Sequence, residues 1–366
     1  MAKIGIITFN NTLDNYGQVL QYLAIQEYLK GRGHEAHLII AGKKPTKFRA
    51  FLRYLKKVYR VVQMATHKDA ACSTYKKWEK WSLRNDLIHP RKFYSFKKNF
   101  CNLEYLHNLQ YDKGSFDAFA VGSDQIWSAL TPFSYLAFAQ YGELKFSIAP
   151  SIGKMVVDDS VVSVVKDWLA DFKFITCREQ SAVDMCRKAG RCDAQLILDP
   201  TFLISKDVYL QYSSSKVQNG DYIFVYMLGA DISVTISQIQ EFAKEEHLKV
   251  MYVASQGRED KYPKTWATIP EWLSLLANAK YVFTNSFHGM ALSCIFQKQF
   301  MTFPIVGEMK GMNERIFNLA KEFNCESRIY TDRLDAVKDE IDYTGIVNRI
   351  KENRYTLDRL MKSINY

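Results

Sequence analysis

The run Thr284-Asn285-Ser286-Phe287-His288-Gly289 sets an imidazole where a short apolar segment, residues 281–283, gives way to a helix-forming stretch. A strand that opens onto a helix N-terminus presents free backbone N–H groups to an anion, and a histidine beside them can give or take a proton near neutral pH. Such a turn suits an anionic substrate that must also meet an acid. Taken alone, the motif favours a histidine that merely packs at a turn, and the rest of the chain has to reverse that. Arg178 follows the apolar residues Phe174-Ile175 and can grip a carboxylate or phosphate through paired hydrogen bonds. Its structural alternative is an ion pair with Glu179 or a neighbouring acid. Two further polar clusters follow apolar runs: Asn10, Asn11, Asn15, Tyr16 and Gly17, and then Gly122-Ser123-Asp124-Gln125-Ile126-Trp127. Each has a turn or cap explanation, Asp124 as a helix cap among them.

These residues need a frame. Residues 3–9 read as a buried strand, 18–30 as a helix closed by Gly31, and 34–40 as the next strand, a βαβ opening that predicts a parallel sheet covered by helices. Further buried strands are expected at 118–121, 145–149, 174–177 and 195–198. A second alternating series starts with a strand at 222–228, followed by a helix at 232–247, a strand at 250–254, a helix at 270–279, and strands at 281–284 and 299–303. The polar stretch 213–220 between the two series reads as a linker. The expectation is an α/β protein with two Rossmann-like, doubly wound domains: residues 1–212, residues 221–340, and a C-terminal helix in 341–366 that packs back on the first domain or meets a partner. Ligands of such sheets bind outside the carboxyl ends of the strands, where the polar clusters fall.

The composition narrows the class. Nearly half of the 366 residues are apolar, enough for a full core. The seven cysteines form no C-x-x-C pair, His34 and His37 point to opposite faces of their strand, and no metal site is expected. Scattered thiols, the lack of an N-terminal apolar leader and the lack of any apolar run of about eighteen residues predict a soluble, cytoplasmic protein. Residues 43–100 carry 17 Lys and Arg against three acids, more than the whole formal charge of +10. Within them Phe48, Phe51, Leu52, Leu55, Val58, Tyr59 and Val62 recur at helical spacing, with Lys47, Arg49, Arg53, Lys56, Lys57 and Arg60 at the other positions. A basic amphipathic helix of this kind lies on an anionic membrane, or is an ordinary helix with a solvated basic back. The aromatic residues follow a core-like stripe and no nucleic-acid-binding module is present, so nucleic acid is not an expected partner.

Taken together, Asn15-Tyr16-Gly17 with Leu20-Gln21, Val121 to Trp127, Ser151-Ile152-Gly153, Arg178-Glu179-Gln180-Ser181-Ala182, Leu198-Asp199-Pro200-Thr201 and Ser286-Phe287-His288-Gly289 resemble, in order and spacing, the polysaccharide pyruvyl transferase family. The resemblance runs from about Thr8 to about Phe303. It implies a fold like the two-domain B-type glycosyltransferases and a reaction that needs no cofactor: a pyruvyl unit passes from phosphoenolpyruvate to two hydroxyls of a sugar, closing a ketal and releasing phosphate. His288 then reads as the general acid and Asp124 as the group that orients or deprotonates an acceptor hydroxyl. Arg178, Ser286, Phe287 and Gly289 fall on the donor side; Asn15, Tyr16, Gly17, Ser123, Gln125 and Trp127 fall on the acceptor side.

Some family members carry Arg-Leu-His where this chain has Ser286-Phe287-His288, so a donor-holding arginine is absent, and Lys310 and Arg315 are the expected replacements. The implied acceptor is a polysaccharide repeat or a lipid-linked oligosaccharide, with the 4,6-diol of galactose the family-level expectation. A sugar on a polyprenyl diphosphate would give the segment from Lys47 to Arg60 a reason to meet the inner membrane. A nucleotide-sugar glycosyltransferase shares the expected architecture, and a non-catalytic scaffold is the other reading left open.

Overall fold

The computed structural model describes residues 1–66, 74–140, 142–154, 156–215, 220–229 and 231–364. Four of the residues expected as linker, 216–219, fall outside them. The chain opens with β1 (Lys3–Ile7), α1 (Tyr16–Lys30) and β2 (Glu35–Ala41), followed by three helices, α2 (Lys47–Thr66), α3 (Thr74–Ile88) and α4 (Phe93–Phe100), that make up the basic insertion. It continues with β3 (Leu103–Leu106), β4 (Ala118–Val121), β5 (Leu144–Ser147), α5 (Asp159–Leu169), β6 (Phe172–Phe174), β7 (Thr176–Cys177), α6 (Gln180–Lys188), β8 (Gln195–Leu196) and α7 (Lys206–Leu210). The second series is β9 (Tyr222–Tyr226), α8 (Ile236–Glu245), β10 (Lys249–Tyr252), α9 (Ile269–Asn278), β11 (Tyr281–Thr284), α10 (Phe287–Ile295), β12 (Gln299–Thr302), α11 (Asn313–Glu322) and α12 (Tyr343–Met361).

Two parallel sheets result. The first has the order β3-β2-β1-β4-β5-β6, so the strand order reverses between β1 and β4; the second, β10-β9-β11-β12, reverses between β9 and β11. These are the Rossmann-like switch points at which the loops after neighbouring strands diverge and leave a crevice. The loops after β1, β4 and β11 therefore carry the clusters around Tyr16, Asp124 and His288 to it. Helix α1 begins at Tyr16 rather than Gln18, because the Asn15 side chain accepts from the Gln18 N–H at 3.1 Å and caps it. Twelve of its fifteen residues are buried, which explains its weak amphipathic pattern.

Several expected elements come out shorter or divided. The strand expected over 174–177 splits: β6 joins the large sheet and β7 pairs with β8. Hydroxyls cause the break, since Thr176 Oγ1 donates to the Ser147 carbonyl (2.6 Å) and Ser147 Oγ to the Thr176 carbonyl (2.8 Å), replacing ladder bonds. The helix expected from Ile232 starts at Ile236 behind a Thr235/Gln238 capping box.

The sheets are joined by more than the linker. The Tyr16 ring stacks on Trp272 (centroids 5.2 Å apart) and its hydroxyl donates to the Ala267 carbonyl at 2.5 Å. Buried Arg91, from the insertion, donates to the Ala254 carbonyl (3.2 Å), lies 3.6 Å from the Asp14 carboxylate, and is ringed by Tyr16, Trp81, Phe93 and Trp266. Helix α12 crosses back to the first sheet's side: Asp358 accepts from Tyr28 (2.7 Å) and pairs with Arg32, and Asn353 Oδ1 accepts from the Leu198 N–H at 2.7 Å.

Candidate active site

The buried Asp199 carboxylate is the node of the site. The Thr201 N–H and hydroxyl hold its Oδ1 at 3.0 and 2.8 Å; its Oδ2 accepts from Arg178 Nη1 at 3.0 Å and lies 3.9 Å from His288 Nε2. One carboxylate thus gathers residues 110 positions apart in the chain, His288 from the turn after β11 and Arg178 from the end of β7. Asp124, in the left-handed region at φ 53°, accepts from Gln18 at 3.1 Å and faces the same group. The imidazole is seated against α1, where a Cβ at Gly17 would stand 2.0 Å from His288 Nδ1; no residue but glycine fits there without displacing the ring.

Two buried donors in this cluster lack hydrogen-bond partners, Arg178 Nη2 and His288 Nε2. Unsatisfied buried donors are costly in a folded protein, and their usual explanation is a ligand or a catalytic role. Beside them opens a cavity of about 680 Å³, within the range of small-molecule sites. Its wall includes Arg178, Asp199, Phe287 and Arg315; His288 is not part of that wall but stands next to it, 3.9 Å from the Asp199 carboxylate. The guanidiniums of Arg178 and Arg315 lie over the Phe287 ring, at 5.7 and 5.9 Å from its centroid. Among the described residues no acid stands within ion-pair distance of Arg315, which leaves its charge for a ligand.

Electrostatics follow from this crowding. Burial pushes the His288 imidazole below its ordinary value; Asp199 and Asp124 oppose the shift, and the Arg178 and Arg315 charges add to it. Burial alone would raise the Asp199 carboxyl, but the charges of His288 and Arg178 and the Thr201 hydrogen bonds outweigh it and hold the group ionised below the usual carboxylate range. Burial and the neighbouring Arg178 both disfavour the charge on Arg315. An incoming anion would relieve both arginines.

The other expected site residues divide. Ser286 and Gly289 shape the turn: the Ser286 hydroxyl caps α10 by accepting from the Gly289 N–H (3.4 Å), the Ser286 N–H is bound to Thr284 Oγ1 (3.0 Å), and a Cβ at Gly289 would strike that hydroxyl. Part of the free N–H set expected at this turn is therefore already used. Ser123 is buried, donating to the Ala149 carbonyl at 2.9 Å. Asn15 and Gln125 are half-buried at the crevice. Tyr16 and Trp127 are corrections: both are fully buried, the first against Trp272 and the second stacked on Tyr135 at 5.2 Å, so neither side chain can touch an acceptor here. Their polar-tipped rings near strand ends looked like ligands, yet apolar packing claims them. Lys310 is likewise a correction: it stands exposed in the turn Gly307–Met312 and is not part of the cavity wall. The ion pair weighed for Arg178 is real but goes mainly to Asp199, with Glu179 at 3.8 Å. Glu179 instead accepts from the Ile152 and Gly153 N–H groups at 2.5 and 3.2 Å. Asp199 itself was not expected at the site. The signal was an acid directly after a strand end, before Pro200-Thr201.

A histidine, an aspartate and an arginine gathered at the switch points of two Rossmann-like sheets define a two-lobed α/β protein with a cavity beside the cluster. The chain belongs to the polysaccharide pyruvyl transferase family, whose family model matches residues 15–305. No curated protein matches it by sequence. Among solved structures it is similar to the UDP-N-acetylglucosamine 2-epimerase of Rickettsia bellii, at 12% identity over 99% of this chain and 96% of that one, with a TM-score of 0.50. The UDP-GlcNAc 2-epimerase of Methanocaldococcus jannaschii follows at 10% identity, 98% and 99% coverage and a TM-score of 0.48. A glycosyltransferase of Streptomyces sp. SF2575 matches at 10% identity, 99% and 100% coverage and a TM-score of 0.39. At these identities the likeness is one of fold, the two-lobed arrangement of B-type glycosyltransferases.

Proposed function

We propose that the protein transfers a pyruvyl unit from phosphoenolpyruvate to two hydroxyls of one sugar, forming a cyclic ketal and releasing phosphate. The observation that carries this reading is the pair of buried donors without a hydrogen-bond partner among the described residues, Arg178 Nη2 and His288 Nε2, beside a cavity whose Arg315 has, among the described residues, no acid within ion-pair distance. A small dianion bearing a carboxylate and a phosphate answers both arginines. Protonated His288 delivers H⁺ to the methylene carbon of the enol, and the first sugar hydroxyl adds to the adjacent carbon, losing its proton to Asp124. The carbon–oxygen bond to phosphate then breaks. The second hydroxyl adds at the same carbon; its proton returns His288 to the charged form, and the proton on Asp124 leaves with the phosphate. Ser286, where family relatives have arginine, contributes no charge, and Arg315 takes over that part. The reading needs no cofactor. The acceptor is a glycan, with the 4,6-diol of galactose in a polyprenyl-diphosphate-linked repeat unit the reading that fits the family. Such an acceptor places the work at the cytoplasmic face of a membrane.

The test pairs phosphate release with the mass of an added ketal, offering phosphoenolpyruvate and a panel of nucleotide sugars to diol-bearing acceptors. Only phosphoenolpyruvate should give product. The kcat/KM for it should fall as pH rises through a midpoint below the ordinary histidine value of 6.5, because the free imidazole must be charged. In kcat the midpoint should move upward, since the bound dianion offsets the two arginines. His288→Gln should lower kcat by roughly 10²- to 10⁴-fold and flatten both profiles. Product from a nucleotide sugar alone, or turnover of the His288→Gln enzyme near the parent rate, overturns the proposal.

A further inference from the structure

Helix α2 of the basic insertion leaves its apolar stripe uncovered. Phe48, Phe51 and Tyr59 are 69, 56 and 66% exposed, and Leu52 and Leu55 are exposed beside them. At about 100° per residue these five side chains fall within an arc of about 100° on one side of a helix about 30 Å long. The basic residues do not surround the stripe evenly. Lys56 and Arg60, both exposed, flank one edge of it. Lys57, on the opposite side of the helix, pairs with Asp86 of α3, so α2 is docked by its polar back with its apolar face outward. An ordinary surface helix buries that face. A helix with only a solvated basic back would not carry Phe48, Phe51 and Tyr59 exposed along one side.

We infer that α2 is a membrane-binding element that lies in the interface of an anionic lipid surface, its stripe of Phe48, Phe51, Leu52, Leu55 and Tyr59 among the acyl chains and Lys56 and Arg60 among the headgroups. Charge complementarity selects this occupant, since the cationic edge runs along the apolar face at the depth where lipid phosphates sit. No helix among the described residues is long and apolar enough to cross a membrane, so α2 lies on the surface and does not span it. Its placement gives the contact a use. Helix α3, on which α2 is docked, reaches the carboxyl-end loops of the second sheet: Trp78 Nε1 donates to the Gly229 carbonyl at 3.3 Å, and Arg84 lies 3.8 Å from Glu259. A surface-bound α2 stands one helix away from the loops that form the cleft, where a sugar carried on a lipid would arrive. That last step rests on the pyruvyl-transfer reading; the membrane contact does not.

Flotation of the full chain with phosphatidylcholine vesicles, with and without phosphatidylglycerol, tests it without any need for turnover. The parent should float with the anionic vesicles only, and less so as salt is raised. Lys56→Gln with Arg60→Gln should weaken binding by roughly 25-fold, about fivefold per cation. Phe51→Ser with Tyr59→Ser should weaken it at least about tenfold. Both variants should keep the parent circular dichroism and the parent rate with a lipid-free acceptor. A parent that stays with the unbound fraction, or variants that float as well as the parent, overturns the inference. So does a concentration-dependent dimer in sedimentation that Phe51→Ser dissolves, which would give the stripe to a second copy. Failure of pyruvyl transfer with flotation intact would strike the proposed chemistry and leave this surface standing.

Discussion

Gly17→Ala adds one methyl group at the point where α1 supports the imidazole. The new carbon would stand 2.0 Å from His288 Nδ1 and 2.2 Å from Cγ, whereas ordinary contact begins at 3.4 Å, so ring and helix must part by about 1.4 Å. Displacement of a catalytic group by about 1 Å costs on the order of 10²-fold in rate, and kcat should fall by at least that factor. Stability should hardly move. Alanine in place of glycine favours a helix by about 0.5–1 kcal/mol, and turning His288 out of its rotamer costs about 0.5–1.5 kcal/mol, so the two nearly cancel. Phosphate release measured beside a thermal melt separates these outcomes. In a His288→Gln background the glycine change should cost little more, because both act through one ring. A kcat within about threefold of the parent, or full additivity of the two changes, refutes the idea that Gly17 matters through His288.

Asp199→Asn keeps the shape of the node and removes its charge, leaving Arg178 buried without its main partner; breaking a buried pair costs about 3–5 kcal/mol, so the melting temperature should drop sharply and kcat with it. A loss under about 1 kcal/mol in denaturant titration contradicts the role given to this carboxylate. Arg315→Gln should raise KM for phosphoenolpyruvate by roughly 10- to 100-fold, the worth of a charged hydrogen bond, while the melt stays put because the guanidinium lies over the Phe287 ring and, among the described residues, pairs with no acid. An unchanged KM assigns the donor to another part of the cleft.

The sequence was most readable where periodicity and turn chemistry agree with tertiary packing. The β1-α1-β2 opening, the second series from β9 and the helix over α12 follow from apolar periods bounded by Gly31, Pro270 and Asp342, and the structure places them within a few residues. Strand β3 escaped notice because it is an edge strand with three half-buried residues of four, too polar and too short to stand out. The break between β6 and β7 depends on Ser147 and Thr176 hydroxyls that meet only in the folded chain. The site shows the same division. Arg178, His288, Asp124 and Arg315 were legible as charged or titratable groups after strand ends or in the following helix; Arg178 and Arg315 line the cavity, and they and Asp124 lie close enough to bear on the His288 charge. Asp199 stood in the motif Leu198-Asp199-Pro200-Thr201 without a role, since what makes it the node is contact with partners 21 and 89 positions away. Tyr16 and Trp127 misled in the opposite sense: a strand-end position attracts a binding role, and only the buried area reveals that their rings belong to the core.

Tyr16 and Gly17 are consecutive, and they hold different things: the first is stacked on Trp272 and hydrogen-bonded to Ala267 across the lobes, the second backs the ring of His288. A motion that parted the halves would have to unstack that tyrosine and would carry Gly17 away from His288, so the contact across the lobes and the seat of the imidazole are one unit of structure.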